Sequence, residues 1–249
     1  MSNVWAPGQG SAARELPGGF AVAGEVISDI LKNLGGYLLA GLGMFVGLLP
    51  IVMVILVIVY LPILGAVFAI DSVGEDLASI IILAAGAFAV VAMLVLGAAV
   101  IAPLQASLMR AVWAYQTRGE PLTFGSAFST VREDYSRVAL AYLALQGATL
   151  VGILLCYVPG LIAMFLLHWV TPAVVIHKRS VGQAFAQSVQ HVKEHLGWTV
   201  GVVLVGVLIT VVCSYVPVIG SLLAQTLYMA YVLKLYRAAF GDGPEPEVT

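Results

Sequence analysis

His191-Val192-Lys193-Glu194-His195 reads H-x-x-E-H, a spacing that one class of zinc peptidase uses to bring two imidazoles onto one helical face. A metal there would need a third ligand. No acidic residue offers one before the C-terminal "GDGPEPEVT", and Glu194 stands beside His195. The same spacing suits the wet side of an amphipathic helix with Val189 and Val192 beneath it, and that is the expectation. Cys156 and Cys213 sit at equivalent places in two apolar runs. They would either pair, if their Cα atoms lie within roughly 7 Å in an oxidising compartment, or remain two small buried thiols. His168, in "MFLLHWVTP", is the one ionisable residue near the middle of an apolar run. Charge at that depth is costly, so a neutral imidazole bonded to Gln146 or Gln225 on another helix is expected. No catalytic, cofactor-binding or metal-binding residue is expected anywhere in the chain.

The elements that would position these side chains follow from composition. The 249 residues are 61% hydrophobic and 10% charged, with a mean hydropathy of +1.03. Soluble domains carry about 25% charged residues, so this chain has too few to cover a water-exposed surface. Apolar runs of roughly 20 residues recur, which is the length a helix needs to cross a bilayer. They do not alternate as β-barrel strands do. The expected fold class is therefore an all-α integral membrane protein. A formal net charge of −2 with no basic domain gives no footing for a nucleic-acid partner.

Six transmembrane helices fit the pattern, near 36–59, 77–102, 138–157, 160–177, 197–215 and 218–236. The run from Leu34 to Ile70 is too long for one straight span and too short for two. Pro50 is expected to kink it, with "YLPILGAVFAI" dipping into the membrane. The second span is expected to continue as helix past Pro103 into "LQASLMRAVWAYQTRG". With six spans, all eleven Lys and Arg fall on one side. The positive-inside rule then makes that side cytoplasmic, with both termini there. Residues 1–19 and 241–249 are expected to be flexible tails around a single membrane domain at 20–240.

Ahead of three spans lie amphipathic stretches: Ala23, Ile27, Ile30 and Leu34; Phe124, Ala127, Phe128, Val131 and Tyr135; and Val181, Ala184, Phe185, Val189 and Val192. Each is expected to form an interfacial helix on the cytoplasmic side. "FGSAF" at 124–128 recurs as "VGQAF" at 181–185. At nearly the same offset, the Tyr-Val-Pro from Tyr157 to Pro159 recurs from Tyr215 to Pro217. Proline there would make a tight outer turn. The chain thus reads as repeated units of interfacial helix, span and returning span, at about 21–118, 122–179 and 180–237. The pairs Gly43 with Gly47 and Gly197 with Gly201 are expected to serve close packing within the chain.

The segment from Ala127 to Arg237, notably "YVPGLIAMFLLHWVTPAVVIHKRSVGQAFAQSVQHVKEH" and "VPVIGSLLAQTLYMAYVLKLYR", resembles the bacterial YciC-type inner-membrane proteins. It is also similar to the membrane region of some glycerophosphodiester phosphodiesterases. The resemblance implies a six-span bacterial inner-membrane protein. It carries no phosphodiesterase activity, because no soluble domain accompanies it. The functional expectation is a non-enzymatic protein that interacts with membrane lipids, or acts as a structural or docking subunit with other membrane proteins or with itself. Headgroup contacts are expected from Arg132, Arg137, Lys178, Arg179, Lys193 and Arg237. The alternative is a passive channel or permease for a small or amphipathic solute, with His168, Gln146, Thr149, Thr171 and Gln225 as its polar wall.

Overall fold

The computed structural model describes residues 16–68, 74–128, 134–155, 157–216 and 219–241. The readings made at Val131, Arg132, Cys156, Pro217 and the two terminal tails (residues 1–15 and 242–249) lie outside them. The described residues are helical, with no strand among them. Helix α1 is Gly19–Lys32 and α2 is Leu34–Phe68; α3 is Glu75–Leu96, continued by a π-helical stretch, Gly97–Ile101, into α4, Ala102–Arg118. After a 3-10 turn at Phe124–Ala127 come α5 (Tyr135–Leu155), α6 (Tyr157–Leu166), α7 (Val170–Val175), α8 (Val181–Glu194), α9 (Leu196–Ser214) and α10 (Ile219–Phe240). Four helices among the described residues are long and apolar enough to cross a membrane: Leu34–Ile58, Asp76–Arg118, Tyr135–Leu155 and Leu196–Ser214. The other two expected spans have a different character. One is broken between α6 and α7. The other, α10, is studded with Gln225, Thr226, Lys234 and four tyrosines or arginines and forms the centre of the bundle.

Helix α10 is central because its faces are covered on several sides at once. Ala230, Tyr231, Leu233, Leu235 and Tyr236 are wholly buried, and the helix packs against α1, α2, α4 and α9. Small residues set the approach of its neighbours. A Cβ on Gly41 of α2 would collide with the Leu222 carbonyl, and one on Gly206 of α9 would meet the Tyr228 ring at 2.9 Å. Gly47 likewise abuts Leu104 and Phe128. Gly197 and Gly201, by contrast, have nothing within 4 Å, so that pair serves no packing among the described residues. They lie on the open side of α9, as the exposed Leu204 and Leu208 do.

One sequence expectation about helix ends is corrected. Helix α2 runs without a break from Leu34 to Phe68, through Pro50, and the chain is non-helical just ahead of it, at Asn33. Tyr157 and Pro159 are not the turn itself but the first turn of α6, where a missing proline N–H has no intrahelical partner to lose. Tyr215 does stand outside its helix, at the end of α9, and is exposed. The amphipathic stretch from Phe124 forms only a 3-10 turn among the described residues, closed by reciprocal Thr123 and Ser126 bonds.

Helices α1 and α8 enter α2 and α9 in the same way. Each has 14 residues and ends at one non-helical residue, Asn33 (φ −129°, ψ 40°) or His195 (φ −127°, ψ 41°). Three buried positions of each pair at a constant offset: Val22 with Ala184, Val26 with Ser188, Ile30 with Val192. Helix α8 starts on a capping box, Ser180 with Gln183. The Thr123 and Ser126 pair holds the equivalent place before it, at the offset that relates "FGSAF" to "VGQAF".

Candidate functional site

The polar side chains inside the bundle gather around the break between α6 and α7. Pro172 lacks the N–H that would bond the His168 carbonyl, and the helix opens at Leu167–Trp169. Two backbone groups orphaned by the break go to one side chain. The Ser188 hydroxyl of α8 donates to the Leu166 carbonyl at 2.6 Å and accepts from the Trp169 N–H at 3.2 Å. Both Ser188 and Trp169 are shut off from solvent. An interfacial helix therefore seals a broken one, which meets the rule that irregular backbone at membrane depth must be satisfied within the protein.

On one side of the break lies an aromatic cluster. Trp169 stacks on Trp198 at 5.7 Å and 17°, and meets His191, Tyr236 and Phe240 edge-on or tilted at 6.0–6.3 Å. Trp198 reaches back to the Pro17 carbonyl, and the Tyr236 hydroxyl sits 2.7 Å from His177 Nδ1. His191 is 8% exposed, so the expectation that it lies on the wet side of its helix is corrected. The polar stripe Gln187, Ser188 and His191 faces the bundle because the break and the aromatic rings need covering there; Phe185 and Val189 lie half-exposed at the flank. Burial, with the neighbouring His195 adding to it, holds the His191 pKa down to about 4. The His191 and His195 rings are 4.8 Å apart, and no group of three His, Cys, Asp or Glu side chains among the described residues could hold a metal.

Helices α4, α5 and α7 line a partly open cavity of about 150 Å³. Its polar lining is Gln105, Tyr142, Gln146 and Thr171. Gln146 Nε2 donates to the Tyr142 hydroxyl at 3.2 Å, one helical turn back. The structure thus unites Gln146 and Thr171 and leaves the other expected polar residues elsewhere. His168 does not bond Gln146 or Gln225; its ring packs on Trp169 and Tyr228, and its Nε2 makes no hydrogen bond among the described residues. Thr149 bonds its own helix at Leu145.

The basic residues likewise divide. Asp134 joins Arg110 at 2.9 Å and Arg137 at 3.3 Å. Arg137 also donates to the Lys178 carbonyl, and Arg237 to that of Gln116. These cations tie α4, α5, α10 and the α7–α8 link together at one end of the bundle. Lys178 and Lys193 are exposed. Lys178 holds a positive φ of 50° in a helix-ending turn closed by the Arg179 N–H on the Ala173 carbonyl. Lys193 borders a shallow groove with Phe185 and Val189. Lys234 of α10 clasps Glu25 and Asp29 of α1 at 3.1 and 2.9 Å.

Ser188, Trp169, Gln105, Tyr142 and Asp134 were missed as site residues by sequence reasoning. Only Tyr142, four residues before Gln146, carries a local signal.

Fold and site together define an all-helical protein whose apolar helices suit a membrane, with its polar chemistry concentrated at a helix break. Residues 122–247 match the family described as a domain of unknown function (DUF7847), and the chain, just over half of which is matched, belongs to that family. The match runs from the 3-10 turn through α10 and includes the break, α8 and the aromatic cluster. No curated protein and no solved structure matches the chain.

Proposed function

We propose that the chain is a non-enzymatic, six-span bacterial inner-membrane protein of three like units, and that its cytoplasmic rim binds anionic phospholipid. The observation that carries this reading is the shape of α1 and α8. Each turns one face into the bundle and keeps an apolar flank: the exposed Phe20 (73%), Ile27 and Leu31 (69%) on α1, and on α8 Phe185 and Val189, which are half-exposed with one side against the core. Exposed cations stand at the same level, Lys32 on α1 with Lys178 and Lys193 around α8. Apolar flank beside ammonium is the surface an interfacial helix offers to acyl chains and phosphate. The matching kinks at Asn33 and His195 and the paired capping boxes support the repeat. The mutual bonds among Arg110, Arg137, Lys234 and Arg237 and their partners support one basic end, hence both termini in the cytoplasm.

The test is lipid retention by the full chain in native mass spectrometry. Phosphatidic acid should be kept over phosphatidylcholine, and Lys178→Gln with Lys193→Gln should each lower that preference about fivefold, from about 1 kcal/mol per rim cation. Equal retention of both lipids by the wild type refutes the reading.

A further inference from the structure

The cavity between α4, α5 and α7 has neutral chemistry and a built shape. Two amides, a phenol and a hydroxyl line it, from three helices, and the rest of its wall is aliphatic. No ionisable carboxylate, amine or guanidinium is part of the lining. The nearest ions are engaged with each other: Arg110 bonds Asp134 and the carbonyl of Val175, a wall residue. The side chains of Gln105 and Thr171 make no hydrogen bond among the described residues, so their polar atoms are offered to the space.

A π-helical insertion shapes this wall. The stretch Gly97–Ile101 adds to the winding of the helix, and one extra residue rotates everything after it by about 100°. That rotation carries Gln105 to the cavity side. The Tyr135 hydroxyl donates to the Ala99 carbonyl within the insertion, and the Tyr142 ring packs directly on Gly97, where a Cβ would displace it. π-Insertions are frequent at functional sites; here the insertion, Tyr135 and Tyr142 hold one another.

We propose that this cavity binds a small, neutral, multiply hydroxylated group. Its volume equals about five waters at ~30 Å³ each, which suits a three-carbon polyol. Hydroxyls both donate and accept, as Gln105, Gln146, Thr171 and Tyr142 require. A charged group would lose its hydration with no counter-ion on the wall, and an alkyl group would strand the amides. The group can come as a free polyol or as the hydroxylated headgroup of a lipid.

Two measurements on the full chain in micelles test this, with probes chosen to be independent of the rim. Equilibrium dialysis with labelled glycerol reads the free form, with 1-propanol as a competitor of similar size. Native mass spectrometry comparing phosphatidylglycerol with phosphatidylpropanol reads the headgroup form; both are monoanionic phosphodiesters of similar size that differ only in the hydroxyls, so the rim treats them alike. Saturable glycerol binding resistant to 1-propanol assigns a free polyol. Preference for phosphatidylglycerol over phosphatidylpropanol assigns the lipid. Thr171→Val, which keeps the shape, and Gln146→Leu should each weaken the observed binding about fivefold, as expected for one neutral hydrogen bond of about 1 kcal/mol. Wild-type protein that shows neither behaviour overturns the proposal, as does displacement of glycerol by 1-propanol or binding unaffected by both substitutions. The preference for phosphatidic acid over phosphatidylcholine stands or falls separately.

Discussion

Replacing Ser188 by alanine removes one oxygen and orphans two buried backbone groups. The Leu166 carbonyl and the Trp169 N–H face each other across the break between α6 and α7, and both use the Ser188 hydroxyl. Neither regains an intrahelical partner, because the Val170 N–H already bonds the Leu167 carbonyl. An unsatisfied buried backbone group costs about 1–3 kcal/mol. Measured hydrogen-bond contributions inside membrane proteins are nearer about 0.6–2 kcal/mol, since the unfolded chain finds other partners in the bilayer. Two groups at about 1–1.5 kcal/mol each, within the overlap of these ranges, give an expected loss of about 2–3 kcal/mol. Reversible unfolding in mixed micelles of rising dodecyl-sulfate fraction measures it. Amide exchange at Trp169 should quicken by roughly thirty-fold or more, at tenfold per about 1.4 kcal/mol. Ser180→Ala, which removes only the cap of α8, serves as the comparison at about 1 kcal/mol and should leave Trp169 exchange unchanged. A Ser188→Ala protein as tolerant as an ordinary surface variant, within about 0.5 kcal/mol of wild type, with Trp169 exchange unaltered, would refute the view that α8 seals the break.

Three further outcomes follow from the same packing. Gly41→Ala should destabilise by about 2 kcal/mol, because its Cβ meets the backbone of Leu222, which cannot turn aside; Gly201→Ala, facing open space, should gain up to about 1 kcal/mol from helix propensity, and the two unfolding curves together check the close approach of α2 to α10. Asp134→Asn should cost about 2–3 kcal/mol by removing the carboxylate that Arg110, whose side chain is 17% exposed, and Arg137 share, and thermal unfolding at low and high salt should show the loss persisting in both. The third outcome concerns pH. His191 is held near 4 when folded against about 6.5 when unfolded, so between these values the unfolded state binds more protons. Its contribution to stability should be full above pH 6.5 and fall as pH drops toward 4, by about 1–3 kcal/mol in all. His191→Phe, which fits the aromatic surroundings, should flatten that part of the fall in an unfolding series across pH.

What could be read in the sequence was whatever depends on neighbours along the chain. The long helices, the continuation past Pro103 and the helix α8 follow from hydropathy and from the spacing of Val181, Ala184, Phe185, Val189 and Val192, all local signals. Gln146 and Thr171 were legible as polar residues in apolar surroundings, and the structure does bring them to one cavity. Gln105 was not, because the π-insertion at Gly97 shifts the phase on which any helical-face argument relies. The break at Asn33 was not legible either, since no proline or glycine stands at it or beside it. Nor was the seal legible, because Ser188 is far along the chain from Leu166 and reads as an ordinary polar position on an amphipathic helix.

His191 shows why amphipathicity alone could not settle which way that helix faces. A hydrophobic stripe predicts the buried side only when the surface beneath is itself apolar. Beneath α8 lies an opened helix with bare amide and carbonyl groups, and a stripe of Gln187, Ser188 and His191 covers it better than valines would. The corresponding positions of α1, at the offset that pairs its buried residues with those of α8, are Glu25, Val26 and Asp29. They cover the unbroken α10, so the hydroxyl gives way to a valine and the flanking positions become carboxylates that meet Lys234. In α8 the inward polar stripe answers a backbone gap in the helix beneath it, and in α1 two carboxylates at the rim of the buried stripe answer an ammonium on the helix beneath it. Phe20, Ile27 and Leu31 of α1 turn outward, largely exposed, whereas Phe185 and Val189 of α8 are half-exposed and still rest one side against the core.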